Sequence, residues 1–215
     1  MRHRLWNGLL ELLAPPACAA CDGAIEARAW VFCAACEPLI DRIAASSLHD
    51  GDACVFGGPL RDAIHRLKYR GQSELAWGLA QWLIEPAQAL IGKVDVVTAV
   101  PLHARRLRER GYNQSLLLAR PVAQALELPL ARRLLVRVRG ASAQVGRGRA
   151  ARRQALAGSF AAAPAARGKR VLVIDDVRTT GATLDEARRA LHEAAAVYTL
   201  ALARADAMDP DAQMF

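Results

Sequence analysis

Apolar positions along the chain fall into two patterns, one with helical spacing and one of short continuous runs, and the two alternate. PLRDAIHRLKYRG (59–71) sets Leu60, Ile64 and Leu67 on one face of a helix, with Pro59 suited to the first turn and Gly71 to the stop. Residues 73–91 read as a second helix. VDVVTAV (94–100) is a short buried-strand pattern that Pro101 ends. NQSLLLARPVAQALEL (113–128) is helical by spacing, with Pro121 expected to kink or split it. LARRLLVRVR (130–139) alternates charged and apolar residues towards its end, as an exposed strand does. GASAQVGRGRAARR (140–153) has no apolar period and reads as a loop, long enough to suggest function or disorder. KRVLVID (169–175) is a buried strand, TLDEARRALHEA (183–194) a helix, and VYTLALAR (197–204) a closing strand. This order predicts an α/β fold, a mostly parallel sheet with helices on both faces.

The first ~45 residues break that rhythm, because four of the five cysteines cluster there. CAAC occurs at 18–21 and again at 33–36, with eleven residues between. Each pair can present two thiolates on one tight turn, so Cys18, Cys21, Cys33 and Cys36 suit a tetrahedral Zn²⁺ site. Four thiolates leave no open coordination position, which makes such a metal structural. Two disulfides or a redox pair are the alternatives; a reducing compartment disfavours the first, and the second needs only one CxxC. Cys54 reads as a small buried hydrophobe. SSLHDGD (46–52) reads as a linker, giving a zinc-binding unit over 1–45, a main domain over 53–205 and a tail over 206–215.

The N-terminus MRHRLWNGLLELLAPPACAA imitates a secretion signal, but Asn7, Gly8 and Glu11 interrupt its apolar run. Leu5, Leu9, Leu12 and Leu13 instead fit a short amphipathic helix. No apolar run reaches 18 residues, so no membrane span is expected and a cytoplasmic location is. Aromatics are only 5% of the chain, which favours helices packed by Ala and Leu over an aromatic-rich sandwich.

Charge sharpens the picture. The net charge is +8, and residues 100–190 hold 19 Lys and Arg against 6 Asp and Glu, a local +13. Such a surface favours phosphate-bearing partners, unless the arginines merely solubilise the chain. Residues 131–153 carry eight arginines and no acid, which suits a polyanion track, yet no aromatic there offers a stacking platform for single-stranded DNA.

The most informative stretch is VLVIDDVRTTGATLDEARRAL (171–191). It puts Asp175 and Asp176 at the carboxyl end of a buried strand, where open α/β sheets place ligands. Thr179, Thr180, Gly181, Ala182 and Thr183 then enter a helix, and small or hydroxylated residues at a helix N-terminus suit a phosphate. A sugar phosphate with free hydroxyls meets both demands. The glycine-rich nucleotide loops GxxxxGK[ST] and GxGxxG are absent.

This strand–DD–xx–TTG–helix pattern resembles the 5-phosphoribosyl-1-pyrophosphate (PRPP) motif of type I phosphoribosyltransferases. With the two CxxC knuckles, PLRDAIHRLKYRG, VPLHARRLRERGYNQS (100–115), and the loop from Gln144 to GSF (158–160), the chain resembles the ComF family from about residue 5 to 204. That family couples a double zinc ribbon to a phosphoribosyltransferase-like domain and is associated with DNA uptake in natural transformation.

The resemblance implies that Asp175 and Asp176 bond the ribose hydroxyls and help hold Mg²⁺ through water, while residues 179–183 hold the 5-phosphate. Arg178 either approaches that phosphate or points to solvent. Pro101 sits in the position of the pyrophosphate loop, with Arg105, Arg106 and Arg110 facing phosphates or simply solvated. Asn113 and Gln114 suit a helix cap. His103 lies beside the loop, and a surface role suits it as well. The chain departs from the family at Ala141, Arg147 and Ala155, in the loop expected to close over pyrophosphate, which bears on turnover more than on binding. Three readings follow: an Mg²⁺-dependent phosphoribosyltransferase, a single-stranded DNA-binding accessory protein, or a PRPP sensor whose zinc unit docks a ComF-type helicase.

Overall fold

The computed structural model describes residues 17–25, 31–44, 49–138 and 156–205. Among them six strands form, β1 (Asp50–Val55), β2 (Val96–Ala99), β3 (Leu135–Arg137), β4 (Phe160–Ala162), β5 (Arg170–Arg178) and β6 (Ala196–Arg204). The main sheet is parallel throughout, in the order β1-β6-β5-β2, and β3 and β4 pair antiparallel as a separate ribbon. The helices are α1 (Gly58–Tyr69), α2 (Leu75–Gln88), α3 (Ala104–Arg110), α4 (Gln114–Ala125) and α5 (Ala182–Ala190).

The continuous apolar runs of β5 and β6 mark strands covered on both sides. On one face Leu172, Ile174, Leu200 and Leu202 pack with Leu60, Ile64 and Leu67 of α1, Leu79 and Leu83 of α2, and Leu118 and Val122 of α4. On the other, Val171 and Val173 meet Leu184 and Ala187 of α5 together with Leu135 and Phe160 of the ribbon. The α/β sheet with helices on both faces is therefore as the pattern predicts.

The cysteine-bearing segment packs into the first of these clusters, through Cys18, Ala19, Val31, Phe32, Cys36 and Ile40. It also runs along the outer edge of β1, where the Val55 amide donates to Asp41 O at 2.8 Å and the Ile43 amide to Ala53 O at 2.9 Å. Covering an edge strand removes its unpaired backbone groups from solvent.

Two local expectations are corrected. Residues 50–52, read as part of a linker, begin β1; their acids are partnered from elsewhere, Asp50 by Arg188 and by a hydrogen bond from the Thr199 hydroxyl, Asp52 by Arg178. Pro121 does not split its helix: α4 runs unbroken from Gln114 to Ala125, and the lost amide is offset by burying Leu118, Ala119, Val122 and Ala123. The leucines at 5, 9, 12 and 13, the whole 140–153 loop with Ala141 and Arg147, nearby Ala155, and the 206–215 tail lie outside the described residues.

Candidate functional site

β2 and β5 pair up to Ala99 and Ile174, and β2 then stops, while β5 continues alongside β6 to Arg178. Asp175 and Asp176 therefore stand on the overhang, where one neighbouring strand has ended. Both are nonetheless buried, at 6% and 5% exposure. Each has its own fixed partners. Asp175 Oδ1 accepts from Ser115 Oγ and from the Asp176 amide, both at 2.9 Å. Asp176 Oδ2 lies 2.6 Å from Lys68 Nζ at the end of α1.

These partners divide the two carboxyls electrostatically. Burial, reinforced by the neighbouring Asp176 charge, pushes Asp175 up to about 8. Burial also works to raise Asp176, but the Lys68 ammonium more than offsets it and holds the carboxyl below its ordinary value. The two carboxyls are thus pushed in opposite directions. Lys68 itself is lowered by burial, against the pull of Asp176.

Beyond the strand, Gly181 takes φ +80° and opens α5. That left-handed conformation favours glycine, and no side chain crowds the position. The Ala182 amide makes a long 3.4 Å contact to Thr180 Oγ1. Thr179, Thr180 and Thr183 are half-buried and Ala182 is buried. The structure thus brings the Asp175–Asp176 pair and the 179–183 turn together at the sheet's carboxyl edge.

Arg178 pairs within the sheet. Its Nε donates to Asp52 Oδ1 at 2.7 Å and its second nitrogen to Oδ2, tying β5 to β1 across β6. Pro101 lies in the β2–α3 connection, which Asn113 Nδ2 holds through Val100 O at 2.9 Å. Asn113 also caps α4, accepting from the Ser115 and Leu116 amides, and His103 caps α3 through the Arg105 amide. Arg105 is exposed and bonds Glu109 at 2.7 Å. Arg110 bonds Gln114 Oε1 at 2.6 Å and lies over the Tyr69 ring. Arg137 of β3 has its pKa lowered first by burial and then by the like charge of Arg106.

The second candidate site is the cysteine cluster. The four Cys sulfurs all lie within 4.8 Å of one another, and those of Cys21 and Cys33 are 3.7 Å apart. A tetrahedral zinc with bonds of about 2.3 Å needs sulfurs about 3.8 Å apart, so the donor set fits. Burial works to raise Cys18, yet the amides of Cys21, Cys33 and Ala20 bring it down to about 6. Cys36 is pushed up to about 12, first by its hydrogen bond with Cys33. Four thiols this close cannot all ionise without a cation among them. Cys54 is fully buried, as expected of a small hydrophobe.

A phosphoribosyl transferase domain model matches residues 113–214. The DNA utilization protein YhgH of Escherichia coli K12 is 32% identical over 156 residues, covering 69% of this chain and 69% of that protein. Competence protein F of Haemophilus influenzae is 32% identical over 143 residues, 63% of this chain and 62% of that one. The chain belongs to the ComF family. It spans 59 to 69% of the length of the curated relatives compared. A glutamine PRPP amidotransferase from B. subtilis, solved with ADP and GMP, aligns with 23% identity and a TM-score of 0.38 over 66% of this chain and 27% of that one. Among the described residues no helix is long and apolar enough to cross a membrane.

Within this ComF protein, Lys68 and Ser115 join the candidate site by contact with its carboxyls, and sequence reasoning missed both. Both lie in segments that carried the family resemblance, KYRG and YNQS, but neither has a local pattern that announces contact with a strand 60 or 108 positions away. The available signal was weak: a lysine at the end of an amphipathic helix, off its polar face.

Proposed function

We propose that the carboxyl edge of β5 binds a phosphoribosyl ligand of the PRPP class, and that this ComF protein acts with it in DNA uptake. The observation that carries the reading is the pair of buried carboxylates on a strand overhang, followed directly by a glycine-opened helix N-terminus. Asp175 and Asp176 receive the ribose hydroxyls, and the amides and hydroxyls of residues 179–183 surround the 5-phosphate. Mg²⁺ would supply charge at the pyrophosphate end. Arg106 with Arg137, and Arg110 beside Tyr69, favour an anion on the Pro101 side. Arg105 and Arg178 have other partners here and are left out of the phosphate contacts.

Zinc is the metal this donor set suits, held by Cys18, Cys21, Cys33 and Cys36 with a structural role. The names of the relatives support the link to DNA, and a cytoplasmic setting agrees with free thiols. A single strand of DNA and a ComF-type helicase are the macromolecular partners this role entails.

Calorimetric titration with PRPP and Mg²⁺ tests the pocket. A hydrogen bond to the charged Asp176 contributes about 1.5–3 kcal/mol and one to the raised Asp175 about 0.5–1.5 kcal/mol, so Asp175→Asn with Asp176→Asn should weaken binding by at least about 30-fold. Unchanged affinity in a folded double variant would overturn the reading.

A further inference from the structure

Lys68 is one of two buried basic side chains among the described residues, 6% exposed, with its ammonium against Asp176. Its position is fixed from several sides. The Tyr112 hydroxyl donates to Leu67 O, Arg110 lies 5.1 Å over the neighbouring Tyr69 ring, and Leu67 is fully buried in the core. The last turn of α1 is thereby pinned to the α3–α4 connection, the same connection that delivers Ser115 to Asp175.

A buried ion pair is a poor source of stability, since an apolar pair of similar volume usually does as well or better. This pair, moreover, sits on the strand overhang and not in the middle of the core. The contact engages one oxygen of the Asp176 carboxylate, so it fixes the group without exhausting its acceptor positions. Asp175 is treated likewise, with two donors on one oxygen.

Resting on the phosphoribosyl reading above, we propose that Lys68 is a positioning residue that holds Asp176 as the acceptor for a ribose hydroxyl and so makes the site selective for ribose over deoxyribose phosphates. The ammonium cannot itself accept a hydroxyl proton; its part is to keep the carboxylate ionised and aimed. A site built to bond a hydroxyl rejects the analogue lacking it, because its buried polar group is left unpaired.

The test measures dissociation constants for ribose 5-phosphate, its 2-deoxy and 3-deoxy forms, and inorganic phosphate, on wild type and Lys68→Met. Wild type should prefer ribose 5-phosphate to at least one deoxy form by about tenfold or more. Lys68→Met should bring that ratio towards one while phosphate affinity stays within about twofold. An unchanged ratio, or an equal loss for sugar phosphates and phosphate alike, overturns the role of Lys68. Wild type that binds none of the sugar phosphates overturns the pocket itself, and the two failures are thus distinct.

Should Lys68→Met fail to fold, Asp176→Asn is compared with Lys68→Met/Asp176→Asn, in which the pair is neutral. The ratio should then be the same in both, because Lys68 acts through Asp176. A further shift in the double variant overturns the proposal.

Discussion

The cysteine cluster and the carboxylate pair lie on either side of one helix, and each receives a cation from it. Arg66 reaches the turn after Cys18, bonding Ala20 O at 3.1 Å and Asp22 Oδ2 at 2.8 Å. Lys68 reaches Asp176. The pairs differ in their surroundings: the Asp22 side chain is 69% exposed, that of Asp176 only 7%. A rim pair in water is screened and holds a turn in place, whereas a desolvated pair sets the protonation of its partner. Two cations two residues apart thus do different work because of where their partners sit.

The largest effect should come from breaking the first region. Cys33→Ser should lower the bound zinc from about one ion per chain to none and reduce the melting temperature by about 10 °C or more, since metal binding is coupled to folding. Metal analysis of reduced protein with a thermal melt checks both, and retained metal would count against the assignment.

A smaller effect separates structure from ligand contact within the second region. Arg178 follows Asp176 by two residues but pairs with Asp52, whose side chain is 2% exposed. Arg178→Ala should cost about 3 kcal/mol in chemical denaturation while ribose 5-phosphate affinity stays within about threefold. A large loss of affinity with little loss of stability would return Arg178 to the phosphate contacts.

The last contrast is one of sign. Asp22 is held below its ordinary pKa, first by its hydrogen bond to Arg66, so its contribution is present above about pH 4 and fades as pH falls. Asp175 is raised to about 8, so the folded state binds the extra proton and stability declines as pH climbs from about 4 towards 8. Denaturation of the ligand-free protein across that range should show Asp175→Asn losing the downward slope and Asp22→Asn keeping it. Equal slopes in wild type and Asp175→Asn would contradict the division of the two carboxyls.

The same contrast governs how much could be read from the chain beforehand. The cysteines announce themselves because their spacing is local, two turns of four residues each. Asp175, Asp176 and the turn after them are also contiguous, and the apolar run before them places them at a strand end. Lys68 and Ser115 do not announce themselves, because tertiary packing alone brings them to the carboxylates. β1 was hidden for a related reason. Asp50-Gly51-Asp52 has a linker's composition, and only the arginines of β5 and α5 make it tolerable in a sheet.

α1 has a consequence for how the chain can be cut and joined. Residues two apart on a helix point some 200° apart, so Arg66 and Lys68 serve opposite sides of it. A one-residue insertion between Leu60 and Arg66 would turn both cations by about 100° and disengage both partners at once. The N-terminal segment is therefore not a cassette that can be exchanged at its own border. A chimera of two relatives would have to cross over beyond Tyr69, carrying the cysteines and the helix together.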